Sequence, residues 1–139
     1  MAISSSRKLM PLKFVDHYTR SEIQSHPDWL YVFGDNFERK GLGGQAGQAR
    51  GEPNACGIAT KRRPSRDEDA YLIDGDYDEW KRATVDAYQK IEQQLTSGGI
   101  VVWPNGIGMG RAEMPARAGK IYTQLMSWAW DWRDRFGLC

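Results

Sequence analysis

The sequence predicts a layered α/β domain. Three observations carry that expectation. Short apolar runs near residues 31, 56 and 101 have the length and composition of buried strands. Segments between and after them repeat their apolar residues at helical spacing. Strands that alternate with helices in this way build layered α/β domains. No repeat, low-complexity tract or linker interrupts the chain, so residues 12–139 read as a single domain behind a flexible leader, residues 1–11.

The elements follow in order. "KFVDHY" offers a short strand. Thr19, with Glu22 three positions on, is a capping signal for a short helix over "TRSEIQSHP". "WLYVFG" (29–34) is an apolar and aromatic run ending at glycine, the pattern of a buried strand. "GQAGQAR" (44–50) has room for two helical turns. "ACGIAT" (55–60) is a second buried strand, followed by the basic turn "KRRPSR". Residues 65–78 are polar and acidic, a surface loop with one extended piece, "YLID".

From Asp76 to Leu95 the residues Trp80, Ala83, Val85, Ala87, Tyr88, Ile91 and Leu95 recur near helical spacing, with Asp76 placed to cap and Ser97-Gly98-Gly99 to terminate. "IVVW" (100–103) is the third buried strand, closed by Pro104. A last helix spans about 115–135, with Ala118, Ile121, Tyr122, Leu125 and Trp128 on one face. Trp128, Trp130 and Trp132 cannot share a face in a helix, so at least one is expected at the surface.

Composition narrows the function classes. The 139 residues are 40% apolar and 27% charged, with a net charge of +1. No global field therefore draws the chain to nucleic acid or to an anionic membrane, and any such contact needs a local patch. Cys56 and Cys139 are far apart, and neither they nor His17 and His26 have metal-ligand spacing, so no metal is expected. "MAISSSRKLM" lacks the apolar core of a signal peptide, and no run approaches membrane-spanning length. A cytoplasmic location is the expectation.

Two glycine-rich stretches, "VFGDNFERKGLGGQAGQAR" (32–50) and "IVVWPNGIGMGRAEMP" (100–115), each follow a predicted strand. In open α/β sheets ligands bind beyond the carboxyl ends of the strands. Glycine lets backbone N–H groups approach an anion closely, and a helix start adds positive potential. Two such loops converging on one point suit a diphosphate. The alternative is that each is a tight turn or a close strand–helix contact. Neither stretch is a P-loop, since no Gly-Lys-Ser/Thr follows, and neither has the dinucleotide GxGxxG spacing.

Individual residues carry paired readings. Asn36 and Asp35 can hydrogen-bond a ligand, or both close an Asx turn. Gln45 reaches a ligand phosphate, or faces solvent. Lys61 ends an apolar strand, where desolvation would lower its pKa and make it a nucleophile or general base; otherwise it belongs to the exposed "KRR" turn. Arg62, Arg63 and Arg66 read as a solvated turn or as phosphate-steering groups. Arg111 can pair with a phosphate and Glu113 can act as acid or base, or both simply start the last helix. Asn105 lines the pocket or caps the turn after Pro104, and Trp103 belongs to the core.

Taken together, Asn36, Gly43-Gly44-Gln45-Ala46, Thr60-Lys61 and Pro104 through Gly110 resemble the macro domain, and within it the macro domains of DNA-ADP-ribosyl glycohydrolase antitoxins. The likeness covers roughly residues 30–130. It implies a three-layer macro-like α/β fold, with a mixed, mostly parallel sheet flanked by helices, and a cleft for ADP-ribose or a related nucleotide, with the diphosphate between the two loops and no cofactor. Asp35 or Asn36 would lie toward the adenine or distal ribose, Asn36 bonding a ribose and Asp35 an adenine amine or a water. Gln45 would reach a phosphate or the distal ribose, and Lys61 would lie near the scissile linkage as nucleophile or general base toward the anomeric carbon. Gly43, Gly44, Gln45, Ala46, Thr60, Asn105, Gly106, Ile107, Gly108, Met109, Gly110 and Arg111 complete the expected ligand set. The Asn-x-x-Asn of many macro domains is replaced here by Gly-Asp-Asn. Three functions follow as expectations: an ADP-ribosyl hydrolase acting on a modified nucleic acid or protein, a reader that binds without chemistry, or an interaction protein whose glycines serve packing alone.

Overall fold

The structure, a computed structural model, describes residues 11–137. The leader expected over residues 1–11 therefore falls, apart from Pro11, outside the described residues, as does Cys139. Four strands, β1 (Leu12–Val15), β2 (Leu30–Asn36), β3 (Ala55–Lys61) and β4 (Val101–Pro104), form one sheet in the order β1-β4-β2-β3. Among the described residues every strand pair is parallel, and one isolated antiparallel bridge joins Lys61 to Tyr71 at the β3 edge. The chain is thus α/β, as its apolar runs predict. Helices α1 (Arg20–Ser25), α2 (Ala46–Ala49), α3 (Tyr77–Thr96), α4 (Met114–Arg117) and α5 (Gly119–Trp132) complete it.

Alternation along the strands divides the core between the two faces of the sheet. Leu30 and Val32, Cys56 and Ile58, and Val101 and Trp103 pack with Trp80, Ile91 and Leu95 of α3 and with Ile121, Leu125, Ala129 and Trp132 of α5. The intervening Tyr31, Phe33 and Val102 face the other way, against Tyr18, Ile23 of α1 and Ala46 and Ala49 of α2. Period-two strands buried on both sides explain why their sequences read as unbroken apolar runs. Trp80 anchors the thicker layer: it is fully buried, its Nε1 donates to the Ala59 carbonyl at 2.8 Å, and its ring stacks on Trp128.

Several expected boundaries move. Asp35 and Asn36 lie inside β2 rather than in the turn after it. The helix expected over 44–50 is one turn, Ala46–Ala49. Thr19 caps α1 as expected, its Oγ1 accepting from the Glu22 amide at 3.2 Å. Asp76 does not cap α3; its carboxylate accepts instead from the Ile73 amide and from Arg62. On α3 it is Thr84, not Val85, that is buried, its hydroxyl satisfied by the Trp80 carbonyl. The final helix is broken at Ala118 (φ −140°), and α5 starts afresh where the Asp74 carboxylate accepts from the Lys120 amide. Trp132 is buried and Trp130 is 49% exposed, as alternating tryptophans on one helix require.

Candidate functional site

Because all four strands run parallel, their carboxyl ends meet at one edge of the sheet. Neighbouring β2 and β4 then lead their chains to opposite faces, β2 to α2 on one side and β4 to α4 and α5 on the other. A crevice opens at such a divergence. It is lined by the segment after each strand: Asp16 and His17 after β1, Lys40 to Gln45 after β2, Pro64 to Arg66 after β3, and Gly106 to Met109 after β4. The cleft measures about 1270 Å³, larger than the ~300–1,000 Å³ usual for a small-molecule site.

The two glycine loops face one another across this cleft. A Cβ built on Gly43 would lie 3.2 Å from an Arg111 Nη, so the first loop touches the second through that guanidinium. Two glycines answer to geometry. Gly44 has φ +58°, and Gly108 has φ +82° with Met114 Sδ only 2.8 Å from where a Cβ would stand. Among the described residues, the amides of Leu42, Gly43, Gly44, Gln45 and Ala46 donate to no protein acceptor. At a single turn, α2 is too short to bring the helix dipole expected from the sequence, which leaves the loop amides as the donors this segment has to offer.

Charge is uneven around the lining. Lys40, Arg50, Lys61, Arg66 and Arg111 oppose Asp16, Asp35 and Glu113. The acids are already engaged: Asp35 by Arg50, Glu113 by Arg117 at 3.0 Å, and Asp16 by the Asn105 amide at 3.0 Å. Most described arginines are ion-paired, whereas Arg66 and Arg111 in the cleft wall pair with no carboxylate among the described residues. Lys61 is half-buried with its Nζ 4.4 Å from the Tyr71 ring centroid. Burial lowers its pKa from the ordinary lysine value, while the Glu113 carboxylate pulls the other way.

The expected residues distribute as follows. Asp35, Asn36, Gly43, Gly44, Gln45, Ala46, Thr60, Lys61, Gly106, Ile107, Gly108, Met109 and Arg111 all line the cleft, while Asn105 and Gly110 lie outside its lining. Several carry other duties. Asn36 closes the turn that follows it, donating from Nδ2 to the Lys40 carbonyl at 2.7 Å. Gln45 neither faces solvent nor stands free: its amide brackets the Tyr18 backbone, accepting at 3.0 Å and donating at 2.7 Å. The Thr60 hydroxyl donates to the Asp35 carbonyl at 3.2 Å. Arg62 and Arg63 are occupied by Asp76 and Glu79 and by Asp67 and Asp69, outside the cleft.

Sequence reasoning missed the first wall altogether. Asp16, His17 and Tyr18 follow a strand of only four residues, and the Gln45 bracket that draws them in spans 27 positions. Tyr71 was also unanticipated; it enters the cleft through its bridge to Lys61.

Residues 13–128 match a family of unknown function, DUF7831. The chain belongs to this family. The match runs from β1 into α5 and so takes in all four post-strand segments of the cleft. No curated protein and no solved structure matches the chain. Among the described residues no helix is long and apolar enough to cross a membrane, and no group of three metal-ligating side chains occurs.

Proposed function

We propose that this member of the DUF7831 family binds ADP-ribose, or a related nucleotide diphosphate, in the cleft between residues 41–46 and 106–111. One observation carries the reading: Leu42 to Ala46, whose amides have no protein acceptor, and Arg111, whose guanidinium has no carboxylate partner among the described residues, line the same cleft from the loops after β2 and β4. Converging N–H donors and a planar cation are the chemistry that holds adjacent phosphates. The macro-domain resemblance supports the same ligand class. The setting proposed with it is the cytoplasm, where nucleotides of this kind are held.

Hydrolysis of an ADP-ribosyl linkage on a modified nucleic acid or protein is a second reading, favoured by the surroundings of Lys61. Burial disfavours its ammonium form, and Glu113 is close enough to act on its charge. In this reading the free amine either takes a proton from the water that attacks the anomeric carbon or attacks that carbon itself before water replaces it. The bond to the modified group breaks, and the leaving group takes up a proton supplied through Glu113.

A thermal-shift series with ADP-ribose, ADP, NAD and buffer tests the binding. A ligand at a hundredfold excess over its dissociation constant stabilises the native state by about 2.7 kcal/mol. A shift that Arg111→Ala removes supports the cleft, whereas no shift with any nucleotide defeats the proposal. Lys61→Ala that retains binding but loses release of ADP-ribose would separate hydrolase from reader.

A further inference from the structure

The carboxylate of Asp35 was expected to meet a ligand, yet its side chain is only 3% exposed and its oxygens are taken. Arg50, one residue beyond α2, donates from Nη2 to Asp35 Oδ1 at 2.5 Å and from Nη1 to Oδ2 at 3.3 Å. The same guanidinium reaches the first glycine loop, donating from Nη2 to the Lys40 carbonyl at 3.0 Å and from Nε to the Gly41 carbonyl at 2.8 Å. Its own backbone is held in turn, because Arg20 donates to the Arg50 and Gly47 carbonyls. A planar fork with several fixed donors can make this arrangement; an ammonium cannot.

The loop needs such a tie. Arg39, Gly41 and Gly44 all have positive φ, so the segment turns at three points with no ladder to hold it. It also passes close to its neighbours at the cleft mouth: a Cβ on Gly41 would stand 3.0 Å from Pro64, and one on Gly43 3.2 Å from Arg111. In a trans peptide the carbonyl and the amide N–H lie in one plane and point in opposite directions. Fixing the carbonyls of residues 40 and 41 therefore fixes the amide directions of Gly41 and Leu42, where the loop enters the cleft. Gly57 completes the arrangement, since a Cβ there would stand 2.6 Å from Asp35 Oδ2.

We propose that Arg50 is a positioning residue, which latches residues 40–44 to the buried Asp35 and so holds the first loop in its ligand-receptive shape. For its affinity readout this rests on the nucleotide reading above; for its loop readout it does not. Trypsin cleavage at the Lys40–Gly41 bond, followed by mass spectrometry under native conditions, reports the latch directly. ADP-ribose titration by calorimetry reports its consequence.

Arg50→Lys keeps the charge and loses the fork. Asp35→Asn keeps the shape and loses the anion. Each should raise the cleavage rate at Lys40–Gly41 by about tenfold or more and weaken ADP-ribose by about ten- to a hundredfold, the scale on which small misplacements of binding groups act. Because they break one unit, the double variant should lose no more than the worse single one. Ile91→Val, on the buried face of α3, serves as a control for general loosening. A wild-type protein that binds no ADP-ribose defeats the nucleotide reading and leaves the cleavage result standing. Unchanged cleavage in both variants, equal cleavage in the Ile91→Val control, or additive losses in the double variant would overturn the latch. Faster cleavage with unchanged affinity would overturn its role in binding.

Discussion

Alanine at position 57 should weaken this protein, although replacing glycine inside a strand ordinarily does the reverse by about 0.5–1 kcal/mol. Gly57 pairs with Phe33 across β2 and β3. A Cβ there would lie 2.6 Å from Asp35 Oδ2 and 3.0 Å from both Asp35 Cβ and Phe33 Cζ. The carboxylate cannot swing aside without leaving Arg50, and it is too buried to find water instead. Breaking a buried ion pair outright costs about 3–5 kcal/mol. Displacing it, less the strand preference gained, leaves a net loss of about 2 kcal/mol, or about 4–8 °C in melting temperature. Urea unfolding and thermal circular dichroism would read both. The decisive comparison repeats Gly57→Ala in an Asp35→Ala background, where the Oδ2 clash is gone and only the 3.0 Å contacts to the residue 35 Cβ and Phe33 Cζ remain, so the loss should shrink. A Gly57→Ala protein as stable as wild type, or one equally weakened in both backgrounds, would refute the steric account.

Two further outcomes follow from the core and from the cleft. Trp80→Phe removes the donor to the Ala59 carbonyl and should cost about 1–3 kcal/mol for the acceptor left unsatisfied, read as a lower urea midpoint at unchanged m-value. Lys61 has a folded pKa below the unfolded value of 10.5. Between those two values the unfolded chain keeps a proton that the folded chain releases, so the Lys61 contribution to stability rises with pH across that window. Wild type should therefore gain on Lys61→Met as the pH is raised toward 10.5, and parallel stability curves for the two would count against a desolvated Lys61.

Residue patterns alone located the layers. The runs around 31, 56 and 101 became β2, β3 and β4, because strands buried on both faces must be apolar at every position. The long helix over 77–96 was legible from its period, and the Thr19 cap from its spacing. Both glycine loops were found because a strand that ends in glycines has a local signature. The same locality marked Lys61 as a strand-end cation.

The tertiary structure decided what those loops meet and what their neighbours do. Periodicity along a chain carries no strand order, so nothing in it set β4 between β1 and β2 or opened a crevice where their connections diverge. Asp35 illustrates the difference. As a residue it reads as a ligand contact, but Arg50, fifteen positions away, consumes its charge and turns it into an anchor for the loop. Gln45 is likewise committed to Tyr18, and His17 enters the cleft through a contact that no local pattern encodes. Local sequence sets which segments are strands, helices and turns, because those preferences depend on near neighbours. Whether a charged side chain is free for a ligand depends on partners brought together only when the sheet assembles.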